Sequence, residues 1–100
     1  MNIYIDIDGT LTIDGFHPGA SPLLTRVEMV RKLSQQHTVV LWSGNGESYA
    51  RKFAAHHRLA RVIPLGKPHL IIDDQPQIRP NWATIIKPPE VLDQDTRNLG

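Results

Sequence analysis

The chain of 100 residues contains no cysteine. That excludes disulfide staples and thiolate zinc sites, and it suits a reducing compartment. It has no apolar stretch approaching the ~20 residues of a membrane-spanning helix, and its N-terminus lacks the basic-then-apolar pattern of a secretory signal. The expectation is a cytoplasmic protein with no membrane partner. Charge of one sign is also lacking: the formal net charge of +1 argues neither for nor against an anionic partner. There is no internal repeat and no low-complexity tract.

What is present is ordinary for a globular protein, with 40% hydrophobic and 21% charged residues. A chain of this size buries roughly 65% of its unfolded surface. That supports one core, so residues 1–100 are read as a single domain whose tail, from about residue 90, is polar and loosely held.

The apolar runs alternate between two periods. Ile3 to Ile7 is rich in β-branched residues and reads as a buried first strand, followed by Asp8-Gly9. Leu11 to Phe16 carries Asp14-Gly15, a two-residue hairpin signal, and predicts a small flap. Ser21-Pro22 predicts a helix start, with Ser21 as N-cap and Pro22 in the first helical position; Leu23, Val27, Val30 and Leu33 then recur at helical spacing. Thr38 to Trp42 is a second strand that stops at Ser43-Gly44-Asn45-Gly46. A second helix is expected over Glu47 to His57, with Tyr49 and Phe53 on one face and His56, His57 and Arg58 near its end. Val62 to Leu65, Leu70 to Ile72 and Ala83 to Ile86 read as third, fourth and fifth strands, the last two ending in Asp73-Asp74 and Lys87-Pro88-Pro89.

Strands alternating with helices predict a parallel sheet with crossover helices. In such sheets ligands bind at the carboxyl ends of the strands. Three of the runs end in residues of catalytic type: Asp6 and Asp8, Ser43, and Asp73 with Asp74. Four carboxylates on one edge repel one another by roughly 4 kcal/mol per pair at ~4 Å and an effective dielectric of 20. Such a set requires a cation, and oxygen ligands without cysteine favour Mg²⁺. A carboxylate can attack phosphorus to give an aspartyl-phosphate, and a second carboxyl two residues on can serve as acid and base.

The segment Asp6-Ile7-Asp8-Gly9-Thr10-Leu11-Thr12 resembles the first motif of the haloacid dehalogenase (HAD) superfamily, DxDGT[LV]. Ser43, Lys67 and Asp73-Asp74 follow in the order of that family's second, third and fourth motifs, and with the first they span residues 6 to 74, about 70% of the chain. The resemblance implies a Mg²⁺-dependent phosphomonoesterase with Asp6 as nucleophile. Asp8 would be the general acid and base, its backbone carbonyl also facing the metal. Ser43 and the following backbone N–H groups, Gly44 first, would hold phosphate oxygens. Lys67 would balance charge on the phosphoaspartate. Asp73 or Asp74 would ligate the metal with Asp6 and Asp8. Asp74 is favoured, since members with paired aspartates tend to use the second while the first fixes the lysine. Phosphatases of the family keep the second aspartate of the first motif, and the dehalogenase branch lacks it.

Two features depart from the family. Neither insertion point, between Asp8 and Ser43 or between Ser43 and Asp73, has room for a cap domain, so the resemblance is to the minimal, capless type. The connection Gly66-Lys67-Pro68 is also far shorter than the ~10–12 residues of a parallel crossover. The third strand is therefore expected to be irregular or outside the sheet. The resulting expectation is an α/β fold: a single Rossmann-like three-layer domain with a mainly parallel sheet of four or five strands.

Several residues stay open between readings. If residues 67 to 73 were fully extended, Lys67 and Asp73 would stand about 20 Å apart, which makes Lys87 the rival for the site. The Arg51, Lys52, Arg58 and Arg61 group reads as a solvated helix face, with a nucleic-acid surface as the alternative. The five histidines are scattered and read as solvated rather than as metal ligands. Trp42 reads as core, and Trp82 as core or rim. The substrate is a phosphorylated small molecule or polymer. Without a cap, a partner chain in a homodimer is the available lid. Competing functions are phosphoryl transfer to an acceptor other than water, and a non-catalytic phosphate- or partner-binding module.

Overall fold

The computed structural model describes residues 1–13, 21–74, 86, 87, 89, 92 and 93. Its elements are β1 (Asn2–Asp6), α1 (Leu24–Gln36), β2 (Thr38–Ser43), α2 (Glu47–His56) and β3 (Ile63–Gly66). The three strands form one parallel sheet in the order β1-β2-β3. Asp6 stands beside Trp42, and Ser43 beside Gly66. All three strands point the same way, so Asp6, Ser43 and Gly66 finish along one carboxyl edge.

The side chains alternate between two unlike faces, as strand geometry requires. Ile3, Ile5, Val39 and Leu41 pack with Val27, Met29 and Val30 of α1 and with Ala50 and Ala54 of α2. The opposite face carries Tyr4, Trp42 and Ile63, which lie outside that core; Tyr4 and Ile63 are exposed. Tyr4 meets Trp42 edge to face, with ring centroids 5.1 Å apart. Two right-handed crossovers made in the same direction put both helices on one side of a sheet. Among the described residues the fold is thus a small α/β domain with one helical layer.

Helix α1 begins two residues later than Ser21-Pro22 suggests. Leu23 precedes it without a side-chain cap, and Ser21 and Pro22 are used elsewhere. Pro22 bridges Thr12 in antiparallel fashion, Ile13 N–H donates to Ser21 O at 2.7 Å, and Leu23 N–H donates to Leu11 O at 2.8 Å. Pairing with residues 11–13 has displaced the expected cap. The flap expected over Leu11 to Phe16 has its Asp14-Gly15 turn outside the described residues.

Helix α2 ends as a Schellman turn, with a residue other than glycine in the left-handed position. Arg58 has φ 56°. Arg58 N–H donates to Ala55 O at 3.1 Å and Leu59 N–H to Ala54 O at 2.8 Å, the paired bonds that define this ending. Leu59 is buried, which supplies the accompanying apolar contact.

Two expectations about the sheet are corrected. The third strand is a regular member, paired parallel with β2 from Ile63 to Gly66. The fourth is absent: Leu70, Ile71 and Ile72 adopt no regular structure and are 76%, 71% and 90% exposed. Because they do not form a strand beside β3, Gly66-Lys67-Pro68 need not carry a crossover. The fifth run falls mostly outside the described residues; Ile86 is described, and it is exposed and not in a strand. Trp82 lies outside them. In the tail, Leu92 is buried in the core and Asp93 pairs with Arg26, with bonds of 2.6 and 2.8 Å. At these two positions the tail is held.

Candidate active site

The carboxyl edge gathers four of the expected residues. After β1 the chain turns tightly: Thr10 and Leu11 N–H both donate to Ile7 O, and Gly9 takes φ 78°, a conformation that glycine adopts without steric penalty. Gly9 N–H donates to Thr12 Oγ1 at 3.1 Å. This turn folds Thr10 back on the strand end, where its hydroxyl donates to Asp6 Oδ2 at 3.1 Å. Arg26 holds the turn from outside by donating to Thr10 O at 2.9 Å.

Asp6 Oδ1 faces Lys67, whose Nζ is 2.8 Å away. The two atoms meet as an ion pair without the alignment of a hydrogen bond. Lys67 follows β3 directly, and its own N–H donates to Ser43 O at 2.9 Å. Its side chain crosses above β2, with Nζ 5.8 Å from the centre of the Trp42 ring. Lys67 reaches the edge because β3 itself delivers it there, and its partner is Asp6, so the extended separation of Lys67 from Asp73 does not decide its place. Lys87 is exposed; Lys67 is the lysine that meets Asp6. Trp42, expected in the core, is half-buried at the rim of this site.

Asp8 is buried, at 4% exposure. Ser43 Oγ donates to its Oδ2 in a short contact, and Asn45 N–H donates to Ser43 Oγ at 3.0 Å. The other oxygen, Oδ1, is buried without a hydrogen-bond partner. Tyr49, in the first turn of α2, lies beside this carboxylate. Its hydroxyl is pushed up to about 12, first by burial, then by the neighbouring Asp8 and by the charge of Asp6. Thr10 and Tyr49 are the site residues that sequence reasoning did not assign. Thr10 was visible inside the DGT motif, whereas the meeting of Tyr49 with Asp8 leaves no sequence signal.

Two glycines shape the loop between β2 and α2. Gly46 has φ 100°. Gly66 passes so close to the start of α2 that a Cβ there would lie 3.0 Å from Glu47 N and 3.2 Å from Gly46 Cα. Gly44, expected to offer its N–H to phosphate, is exposed and has open space around it.

The structure does not bring Asp73 and Asp74 into this group. Both are exposed, and among the described residues no three His, Asp or Glu side chains gather as a metal site. What remains is two carboxylates against one lysine, an excess of negative charge among hard oxygen donors. That set fits Mg²⁺, which is commonly bound through one or two carboxylates together with substrate phosphate.

Compared with protein-family models, curated proteins and solved structures, the chain matches none. No helix among the described residues is long and apolar enough to cross a membrane.

Proposed function

We propose that this chain is a Mg²⁺-dependent phosphomonoesterase of the HAD type, acting through a phosphorylated Asp6. The observation that carries the proposal is the pairing of unlike environments two residues apart. Asp6 stands at the strand end between Lys67 and Thr10, while Asp8 is buried against Ser43. Pairs of titratable groups set in different surroundings are how one site divides nucleophile from acid and base.

In the proposed reaction Asp6 attacks phosphorus as the bond to the leaving oxygen breaks, and Asp8 gives that oxygen its proton. Asp8 then takes a proton from water as the water attacks the phosphoaspartate, which restores Asp6 and releases inorganic phosphate. Lys67 offsets the charge that gathers on the transferred group. The Gly44 N–H, with the start of α2 behind it, would offer a donor to phosphate oxygens, while the single proton of the Ser43 hydroxyl goes to Asp8. Asp6 and the backbone carbonyl of Asp8 would hold Mg²⁺, and the ion, when bound, would supply charge neutralisation at the phosphoryl group.

The proposal carries with it the three-layer Rossmann-like, capless domain read from the sequence and a cytoplasmic setting consistent with the lack of cysteine. It is tested by a phosphatase screen with Mg²⁺ over sugar phosphates, nucleotides and 5′- or 3′-phosphorylated oligonucleotides. Turnover that disappears with chelator, returns on readdition of metal and is absent in Asp6→Asn is the expected result. Turnover retained in Asp6→Asn overturns it.

A further inference from the structure

Asp8 is served on one side only. Ser43 Oγ holds Oδ2, and Oδ1 is buried without a hydrogen-bond partner. A buried carboxylate oxygen left without a donor bears the full loss of its hydration. The neighbouring group able to supply one is the Tyr49 hydroxyl, which lies near enough to Asp8 for that carboxylate to push its pKa up but does not bond Oδ1 in this structure. The ring is fixed by its surroundings: Tyr49 is part-buried and packs against the core, as does Phe53 one turn on. A phenol is protonated at neutral pH even in water, so it is available as a donor.

We propose that Tyr49 is a positioning residue for Asp8, donating its hydroxyl to the carboxylate oxygen that Ser43 leaves unserved. The proposal rests on the phosphohydrolase reading of the site. Two donors arriving from different elements, Ser43 from the end of β2 and Tyr49 from the first turn of α2, clamp the carboxylate in one rotamer. A proton donor so clamped meets the leaving oxygen in a fixed geometry, and misplacement by about 1 Å can cost a hundredfold in rate. Tyr49 has no part in gripping phosphate in this arrangement, so its loss should leave substrate binding alone.

The test uses Tyr49→Phe, which keeps the ring and its packing and removes only the hydroxyl. Steady-state kinetics with Mg²⁺ and a series of aryl phosphates should show kcat lowered roughly 10- to 100-fold with KM unchanged. The deficit should grow as the leaving group becomes poorer, because those substrates depend most on the proton from Asp8. A purely structural tyrosine would lower all substrates alike. In parallel, urea unfolding of wild type, Tyr49→Phe, Asp8→Asn and the double variant reads the contact without turnover. The midpoint should fall in Tyr49→Phe, and that fall should shrink when Asp8 is already Asn. A kcat within twofold of wild type across the series, or additive midpoint shifts, overturns the proposal. If wild type hydrolyses no phosphate ester, the phosphohydrolase reading is what has failed. The unfolding cycle then decides whether Tyr49 serves Asp8.

Discussion

Lys67 Nζ and Asp6 Oδ1 meet at 2.8 Å although Asp6 ends one outer strand of the three-stranded sheet and Lys67 directly follows the other. The lysine side chain spans the whole of β2 to make the contact, passing over Trp42. The pair is partly exposed, with side chains 38% and 27% accessible, so its importance lies in charge placement more than in stability.

This relationship separates two lysines. Lys67→Ala is expected to lower kcat by about 10²- to 10³-fold, the usual loss on removing one preorganised donor to a developing anion. Lys87→Ala should stay within about twofold, as expected for an exposed residue without a role in the site. Steady-state assays on the best substrate from the phosphatase screen decide it. Collapse in Lys87→Ala alone would reverse the assignment.

Gly66→Ala and Gly44→Ala should behave oppositely. A Cβ at Gly66 would meet the backbone at the start of α2, which cannot yield as a flexible side chain can. About 1–3 kcal/mol of destabilisation is expected, and kcat should fall as Lys67, the next residue, is displaced. At Gly44 a Cβ would meet nothing, so stability should change by less than about 0.5 kcal/mol. A raised KM there would point to phosphate approaching that backbone. Urea unfolding and kinetics on both variants check the contrast.

Arg58→Gly should stabilise the protein. The left-handed conformation costs an L-residue about 1–2 kcal/mol relative to glycine, and Arg58 is exposed, so little packing is lost. Allowing for the greater chain entropy of glycine, a gain of about 0.5–1 kcal/mol is expected. That should appear as a rise in Tm of a few degrees. Arg58→Val should lower Tm instead.

The Arg26–Asp93 pair makes an acid-limb prediction. Hydrogen bonding to Arg26 holds the Asp93 carboxyl below its ordinary 3.8. The native state therefore favours the ionised form. Its contribution is complete above the unfolded value and is lost as pH falls through the lower native one. Asp93→Asn should lower Tm near neutral pH and flatten its decline below about pH 4. Thermal melts of both proteins across that range provide the check, and parallel curves would show that the pair contributes nothing.

Much of this arrangement was legible in the residues. Ile3 to Ile7 and Thr38 to Trp42 are β-branched runs punctuated by polar and glycine residues, and their strands lie within one residue of the expected limits. Tyr49 and Phe53 were placed on one face of α2, and both pack on the core. Ser21-Pro22 misled because capping is a local preference, and antiparallel pairing with residues 11–13 brought in partners the local pattern does not contain. Leu70-Ile71-Ile72 misled because hydrophobicity signals a need for burial without supplying a neighbour. The lysine was harder still. Distance along the chain was measured from Lys67 forward to Asp73, whereas the position that mattered was set backward, by where β3 stops. Asp73 and Asp74 are the part of the expected site that the fold does not assemble with Asp6 and Asp8.

One atom, finally, links parts of the site that belong to different elements. The Ser43 carbonyl accepts from Gly46 N–H at 3.1 Å and from Lys67 N–H at 2.9 Å. The first bond fixes the loop that enters α2; the second fixes the backbone from which the lysine extends. The two cannot drift apart without breaking a bond to the same acceptor. The end of β2 therefore ties the entry to α2 and the backbone of the residue whose ammonium group faces Asp6 to a single carbonyl oxygen.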